Sequence, residues 1–287
     1  MFQKIVLYLR LIRFSHTIFA MPFAILGVAI AYQHFPQAFT WQKFLFILLC
    51  MVFARTAAMA FNRYLDKDID KLNPRTQNRE IPSNKVKPKE ALLLTVVSSI
   101  LFVYAARLLN PLCFYLSPVA LLVVLGYSYT KRFTWLCHII LGLGLALAPV
   151  GAYMAITGEI HISVIIVSAA VLFWVSGFDI IYALQDEEFD KSYSLYSIPS
   201  FFGRTKSIYL ARIFHILSSI LLLINFISFG FGEIYFIGWM LFSLLLVYEH
   251  YLVRPDDISK IPFAFGTLNS WAGLIFGCLA IWDVLIK

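Results

Sequence analysis

The chain has 287 residues, of which 61% are apolar and 14% are charged, and its formal net charge is +7 at pH 7. Soluble domains have about 45 to 50% apolar and about 25% charged residues, so the composition excludes an ordinary soluble globular protein. A membrane-spanning helix needs about 20 mostly apolar residues, and this length holds roughly nine or ten of them with short connections. The apolar runs are continuous and do not alternate with period two, which argues against a transmembrane strand barrel.

An amphipathic segment, residues 1–13, precedes the first apolar run. Nine apolar runs follow in chain order, and each is about long enough to cross a membrane as a helix. They cover residues 14–33, 42–62, 91–109, 111–129, 135–156, 161–184, 208–230, 233–252 and 263–286. The sequence therefore predicts an all-α integral membrane bundle of nine transmembrane helices, formed by a single domain over residues 1–287.

Basic residues are distributed unevenly between the two sides of this predicted bundle. With the N-terminus in the cytoplasm, only Lys43, Arg107 and Lys287 of the 23 Lys and Arg residues fall on the outer side, which leaves 20 at or near the cytoplasmic side. Positive charge on inner loops is the usual signature of membrane topology. It predicts a multi-pass protein of the bacterial cytoplasmic membrane, whose basic loops have membrane lipid or a bound anion, and not nucleic acid, as their partner.

Acidic residues are concentrated in two short segments, which hold eight of the 16 and lie at the predicted cytoplasmic ends of two spans. The first contains Asn62, Asp66 and Asp70 at four-residue spacing, and the second contains Asp186 and Asp190. Four residues make about one helical turn, so the carboxylates of a pair point the same way and repel. Mg²⁺ takes oxygen ligands and leaves positions for water and phosphate. We therefore expect magnesium and a diphosphate in a cavity at the cytoplasmic side.

Three motifs occur in a fixed order along the chain. Residues 62–70 read N-x-x-x-D-x-x-x-D, residues 127–131 read Y-x-x-x-K, and residues 186–190 read D-x-x-x-D. In this order they resemble the motifs of the UbiA superfamily of membrane prenyltransferases. Residues 13–23 are similar to the start of its 4-hydroxybenzoate polyprenyltransferase branch. The resemblance covers essentially the whole chain.

This resemblance implies the magnesium-dependent transfer of a polyprenyl group from a polyprenyl diphosphate to the ring of an aromatic acid, in ubiquinone or menaquinone biosynthesis. Its implied catalytic residues and magnesium ligands are those of the acidic motifs, Asp66, Asp70, Asp186 and Asp190, with Asn62 as a further ligand. Its implied diphosphate-binding residues are Arg63, Tyr127, Lys131 and Arg132.

The acceptor remains open between 4-hydroxybenzoate and a dihydroxynaphthoate of the alternative menaquinone route. Residues 71–83 resemble the branch that acts on the naphthoate. Relatives usually continue with Gly where this chain has Asn84, and because Asn also tolerates the left-handed conformation, we expect the turn to be kept. Either acid needs a cation for its carboxylate. Arg55 is the first candidate because it lies seven residues before Asn62 on about the same helical face, and Arg13 is the second.

A cation-coupled transporter is the alternative from another class of protein. Such a protein would have ionisable residues near the bilayer midplane and spans broken by Gly or Pro in matching halves. Here the acids lie at one side, although Pro149 and three glycines interrupt the fifth span.

Other polar residues near the motifs have less specific interpretations. His16 is interpreted as a packing residue. Asp179 and Tyr182 share the helical face of Asp186, which leaves both a supporting and a packing role open. The remaining acids of the two segments, Asp68, Glu187 and Glu188, are interpreted as solvated.

Overall fold

The computed structural model describes residues 2–13 and 20–287, and within these ranges the chain is helical, with no β-strand. The helices are α1 (Phe2–Leu11), α2 (Met21–His34), α3 (Trp41–Leu65), α4 (Lys67–Leu72), α5 (Pro88–Leu109), α6 (Pro111–Thr130), α7 (Cys137–Thr157), α8 (Ile162–Ala183), α9 (Glu187–Ser192), α10 (Ile198–Phe202), α11 (Arg204–Phe229), α12 (Glu233–Leu252), α13 (Ile261–Phe263) and α14 (Asn269–Leu285). A 3₁₀ turn at Leu184–Asp186 links α8 to α9, and a π-helical turn at Ala264–Leu268 links α13 to α14.

Eight helical segments of the described chain are long and apolar enough to cross a membrane. They are α3, α5, α6, α7, α8 with its extension to Ser192, α11, α12 and the segment Ile261–Leu285. The first of the nine predicted spans is described only as α2, with 14 residues, since residues 14–19, including His16, lie outside the described ranges. The predicted all-α membrane fold is confirmed, with eight full-length spans and one shorter apolar helix.

The chain divides into two compact units. Unit 1 comprises Met1–Thr17 and Gln42–Tyr129, and unit 2 comprises Ile18–Trp41 and Thr130–Lys287. The first acidic motif therefore belongs to unit 1 and the second to unit 2.

In unit 1, α1 packs on the loop that follows α4. Leu11 lies in a buried cluster with Ile81 of this loop and Ala91 of α5, and its carbonyl accepts a hydrogen bond from Arg63 Nε at 3.4 Å. Asn84, in the same loop, has a φ of 60°. The turn is therefore kept in the left-handed conformation expected for it, without a glycine.

In unit 2, the buried side chain at the centre of the packing is Trp174 of α8. Its ring centroid lies 5.3 Å from that of Phe23 on α2, 5.3 Å from that of Phe178 and 5.8 Å from that of Phe242 on α12. The tilted and edge-on ring angles are those that aromatic quadrupoles favour. This aromatic cluster joins α2, α8 and α12 beneath the helix end that carries the second acidic motif.

The close approach of α7 to α8 depends on Gly142. A Cβ at this position would overlap Ser176 Oγ and lie 2.5 Å from the Leu172 carbonyl oxygen. We expect Gly142→Ala to lower the free energy of unfolding by about 1 to 3 kcal/mol, because the Leu172 carbonyl oxygen belongs to the backbone of α8 and cannot rotate away as a side chain could. Gly151→Ala in the same helix is the matched control, because a Cβ there meets nothing within 4 Å. Thermal unfolding in detergent measures both, and equal midpoints would contradict the tight contact.

Candidate active site

The first acidic motif lies at the junction of α3 and α4. Asp66 occupies this junction with φ −88° and ψ 5°, so the backbone departs here from the regular helix that the four-residue spacing predicts. The N–H groups of Asp66 and Asp70 still donate to the carbonyls of Asn62 and Asp66, at 2.9 and 2.7 Å. Asn62, Asp66 and Asp70 are therefore still one helical turn apart, although the regular helix is interrupted at Asp66.

Both carboxylates of the first motif are buried and paired with neighbouring groups. Asp66 is 4% and Asp70 is 5% exposed. Asn62 Nδ2 donates to Asp66 Oδ2 at 2.9 Å. Arg79 Nη1 lies 2.7 and 2.8 Å from the two oxygens of Asp70, and Arg63 Nη1 lies 3.9 Å from Asp70 Oδ2. These partners offset the cost of taking the acidic groups out of water.

Arg79 is a candidate site residue that the sequence reasoning missed. The turns of the loop after α4 bring it to the motif, since Thr76 Oγ1 donates to the Asp70 carbonyl at 3.0 Å and the Arg79 N–H donates to the Thr76 carbonyl at 2.9 Å. Helical spacing does not predict a contact between residues nine apart in a loop. The available signal was that Arg79 lies within residues 71–83, the run that carries a family resemblance.

The two residues proposed for the acceptor, Arg55 and Arg13, lie in unit 1, and Arg55 lies near Tyr127 of the same unit. Tyr127, in the last turn of α6, is within electrostatic range of Asp66, Arg63 and Arg55. Arg55, in α3, is within electrostatic range of Tyr127 and Arg13. The Nε of Arg55 is buried, and no acceptor in the described part of the chain lies within hydrogen-bonding distance of it. A buried guanidinium N–H without an acceptor is unfavourable, so this atom is suited to an anionic ligand.

The second acidic motif repeats the construction of the first, within unit 2. The 3₁₀ turn that follows α8 ends at Asp186, whose φ of −106° and ψ of 4° are close to the −88° and 5° of Asp66. Asp190 is buried inside the six-residue helix α9, at 6% exposed, as Asp70 is buried inside the six-residue helix α4. Each motif therefore places its first Asp at a helix junction and its second Asp in a short helix.

Asp190 is surrounded by polar and charged groups of unit 2. The Ser197 hydroxyl hydrogen-bonds its carboxylate, and Lys131 and Asp186 lie within electrostatic range of it. Arg132 follows Lys131 in the turn after α6. The structure thus brings Lys131 to the second motif, whereas Tyr127, from the same Y-x-x-x-K sequence, lies near the first.

Asp179 shares a helical face with Asp186, but its hydrogen-bond partner is a histidine of α7. His138 Nδ1 lies 2.7 Å from Asp179 Oδ2, and His138 Nε2 accepts the Ile198 N–H at 3.2 Å. Because a backbone N–H can only donate, the proton of the neutral ring is on Nδ1 and is donated to Asp179. This pair connects α7, α8 and α10 around the second motif. Tyr182, one turn before Asp186, stacks its ring on Phe265 with centroids 4.3 Å apart.

The interpretation of Glu187 as a solvated acid is wrong. Glu187 is 7% exposed and accepts hydrogen bonds from Lys191 Nζ at 2.8 Å and Arg204 Nε at 3.3 Å. The pair with Arg204 joins α9 to the start of α11, and short-range spacing could not reveal this partner. Asp68 and Glu188 are exposed, as interpreted.

The donor atoms of the two motifs suit a metal that binds together with phosphate. In the described residues, no three His, Cys, Asp or Glu side chains form a group that could hold a metal ion by themselves. Mg²⁺ usually binds proteins through one or two carboxylates and completes its shell with water and substrate phosphates. The pair of carboxylates in each motif fits this use.

The chain matches one protein family and a set of solved structures. The model of the UbiA prenyltransferase family matches residues 20–277. A 4-hydroxybenzoate octaprenyltransferase of Francisella tularensis is 31% identical over 83% of this chain and 81% of its own length. The apo structure of a UbiA homologue from Aeropyrum pernix K1 is 31% identical, with a TM-score of 0.84 over 94% of this chain and 98% of the homologue. A UbiA homologue from Archaeoglobus fulgidus bound to GPP and Mg²⁺ is 21% identical, with a TM-score of 0.68 over 96% and 99%.

Proposed function

Because the chain belongs to the UbiA prenyltransferase family, we propose that it transfers a polyprenyl group from a polyprenyl diphosphate to the ring of 4-hydroxybenzoate, in ubiquinone biosynthesis. The name of the Francisella relative, a 4-hydroxybenzoate octaprenyltransferase, supports this acceptor. Membership of an enzyme family favours prenyl transfer over the cation-coupled transporter. The family match extends through both units, which supports a single catalytic domain.

The observation that carries this proposal is the matched construction of the two acidic motifs. In each, one carboxylate lies at a helix junction and the second is buried one turn later beside a basic residue. Asp70 has Arg79 and Arg63 as its neighbours, and Asp190 has Lys131. Carboxylates suit the metal ions of a diphosphate, and the basic groups suit its oxygens.

We assign Mg²⁺ binding to the four motif carboxylates and the neighbouring amide, namely Asp66, Asp70, Asp186, Asp190 and Asn62. When bound, the ions neutralise the negative charge that develops on the departing diphosphate. The A. fulgidus homologue, with GPP and Mg²⁺ bound, has the same fold and supports the use of a divalent metal.

The basic residues would act on the diphosphate, with Arg63, Lys131 and Arg132 binding its oxygens and the Tyr127 hydroxyl donating a hydrogen bond to it. The bond between the allylic carbon and the diphosphate oxygen breaks, and its electron pair leaves with the diphosphate. The electron-rich ring carbon then bonds to the allylic carbon, and the ring passes one proton to the released diphosphate, which restores its aromaticity. Apolar surroundings keep water away from the allylic cation, which water would otherwise convert to an alcohol.

The carboxylate of the aromatic acid is assigned to Arg55, with Arg13 as a second cation. The two guanidinium groups lie within electrostatic range of each other and repel. A carboxylate near both would offset that repulsion and accept the hydrogen bond that Arg55 Nε lacks among the described residues.

The acidic motifs are proposed to face the cytoplasm from a bacterial inner membrane. This orientation follows from the 20 of 23 basic residues that the predicted topology places on that side. It gives both motifs access to water-soluble magnesium and aromatic acid, while the prenyl tail stays among apolar helices and lipid.

The test is a product assay with the purified full-length protein. We incubate it with magnesium, geranyl diphosphate and either 4-hydroxybenzoate or a dihydroxynaphthoate, and analyse the products by mass spectrometry. We expect geranylated 4-hydroxybenzoate. If only the dihydroxynaphthoate gives a product, the proposed acceptor is wrong but the proposed chemistry stands. That outcome would agree with the resemblance of residues 71–83 to the branch that acts on the naphthoate. If no product forms and vesicles that contain only this protein take up a solute, the proposal that the protein is an enzyme is overturned.

A further inference from the structure

In unit 2, the segment that follows α9 is attached to the second acidic motif by hydrogen bonds. The Leu195 N–H donates to the carbonyl oxygen of Asp190 at 2.8 Å, and the Ser197 hydroxyl hydrogen-bonds the Asp190 carboxylate. Ser197 is also the N-cap of α10, and its Oγ accepts the Ser200 N–H at 3.2 Å. A hydroxyl that accepts one bond still has its own proton to donate, so Ser197 serves the cap and the carboxylate together. The start of α10 therefore fixes a hydrogen bond of Asp190.

His138, on α7, holds the start of α10 in place. The N–H of Ile198, the first residue of α10, donates to His138 Nε2 at 3.2 Å. His138 and Ile198 are 3% and 0% exposed, so water does not replace this bond. A buried N–H without an acceptor is unfavourable, and the bond is therefore kept in the folded protein. Because Ser197 precedes Ile198 directly, the same contact positions the Ser197 hydroxyl.

Asp179 determines which ring nitrogen of His138 accepts this bond. His138 Nδ1 lies 2.7 Å from Asp179 Oδ2, and a carboxylate accepts only from a nitrogen that carries a proton. The proton is thereby kept on Nδ1, and the lone pair of Nε2 is left for the Ile198 N–H. The partner of one ring nitrogen sets the role of the other in this way. A continuous series of contacts therefore runs from Asp179 through His138 and α10 to Asp190.

The segment of residues 195–198 is also attached to a basic residue that we assign to the diphosphate. The Tyr196 N–H donates to the carbonyl oxygen of Lys131 at 2.7 Å, and the Lys131 side chain lies within electrostatic range of the Asp190 carboxylate. This segment therefore holds Lys131 and Asp190 in one arrangement. The bond from Ile198 to His138 anchors the end of the segment on α7.

We propose that His138 is a positioning residue for magnesium binding by the second acidic motif, and that Asp179 keeps its ring in the tautomer that this role requires. This inference rests on the metal-binding role of Asp190 in the proposed function. Mg²⁺ demands near-ideal ligand geometry, so a carboxylate binds it well only when its oxygens are held in place. Hydrogen bonds to metal ligands supply this orientation, and their loss typically weakens metal binding by about 10- to 100-fold. His138 acts on Asp190 through Ile198 and Ser197.

The experiment follows the unfolding midpoint of the detergent-purified full-length protein while magnesium is added in the presence of inorganic diphosphate. This measurement requires no prenyl transfer. His138→Leu keeps an apolar side chain of similar size but removes both hydrogen bonds, and we expect it to raise the magnesium concentration for half-maximal stabilisation about tenfold. The amide of His138→Gln has a donor for Asp179 and an acceptor for the Ile198 N–H, and we expect this variant to stay within about threefold of the unmodified protein.

His215→Leu is the matched control for the loss of a buried histidine. His215, on α11, is also 3% exposed, and its two ring nitrogens lie 3.2 Å from the Trp174 carbonyl oxygen and 3.0 Å from His250 Nε2. These contacts lie outside the series that ends at Asp190. We therefore expect His215→Leu to lower the unfolding midpoint without magnesium and to leave the magnesium requirement unchanged.

The proposal is overturned if His138→Leu leaves the magnesium requirement unchanged, if His138→Gln is as impaired as His138→Leu, or if His215→Leu raises the requirement equally. It is also overturned if magnesium does not stabilise the unmodified protein. If His138→Leu does not fold, Asp179→Asn takes its place, because an amide can donate to Nδ1 as well as accept from it and no longer fixes the tautomer. The expected magnesium responses without any prenylated product would overturn the proposed function and keep this inference.

Discussion

Asp66→Asn and Asp186→Asn are each expected to lower kcat/KM for prenyl transfer by about a thousandfold or more. Asn keeps the size of Asp and one oxygen, but it removes the negative charge that holds Mg²⁺ against the diphosphate. Charge neutralisation by metal at the leaving group contributes several kcal/mol to the transition state, and about 4 kcal/mol corresponds to this loss. Product formation from geranyl diphosphate at saturating magnesium measures it.

Neighbouring acids in the same short segments supply the controls for these variants. Asp68→Asn and Glu188→Gln remove one exposed negative charge each, next to Asp66 and Asp190 but outside the proposed metal ligands. Both are expected to stay within about threefold of the unmodified activity, because a solvated surface charge contributes little. Activity near that of the unmodified protein in either Asp66→Asn or Asp186→Asn would remove that residue from the metal assignment.

Magnesium dependence separates loss of the site from loss of the fold. Where one ligand is replaced, we expect the magnesium concentration for half-maximal activity to rise, while the unfolding midpoint without substrate changes little. A variant that loses its activity and also shows a markedly lower unfolding midpoint has lost its structure. The variant in the other acidic motif then provides the test.

The spans could be predicted from the sequence because the bilayer imposes them. Backbone polar groups in hydrocarbon must bond within the helix, so runs of about 20 apolar residues leave little choice of structure. The four-residue spacing likewise predicted that Asp66 and Asp70 are one helical turn apart. It could not predict that the regular helix stops at Asp66, because this depends on the packing of the following loop.

Contacts between segments that are distant along the chain could not be predicted from the sequence. Arg79 reaches Asp70 through successive turns of a loop, and His138 reaches Asp179 across two helices. Neither partnership has a spacing rule, since each follows from tertiary packing and not from helical periodicity. Glu187 shows the same limit, because its burial depends on Arg204 from a later helix. The motifs were found from their local spacing, and Asn62, Arg63 and Lys131 were found with them, whereas Arg79, from a loop outside the motifs, was not.

Arg55→Gln is expected to raise the KM for 4-hydroxybenzoate by about a hundredfold and to leave the KM for geranyl diphosphate nearly unchanged. The loss of one partner from a desolvated charge pair costs about 2 to 5 kcal/mol, and a hundredfold change corresponds to the lower part of this range. Arg107→Gln is the matched control, because it removes an exposed arginine from α5 in the same unit. Initial rates at varied concentrations of each substrate separate the two KM values.

An acceptor without a carboxylate tests whether Arg55 acts through that group. The amide analogue, 4-hydroxybenzamide, keeps the phenol and the ring but removes the negative charge. The unmodified protein should discriminate strongly against the amide, whereas Arg55→Gln should use the acid and the amide with similar kcat/KM, since the interaction that distinguishes them is already lost. If the variant discriminates between the two acceptors as strongly as the unmodified protein, the carboxylate binds elsewhere, and Arg13→Gln becomes the variant in which the same discrimination should disappear.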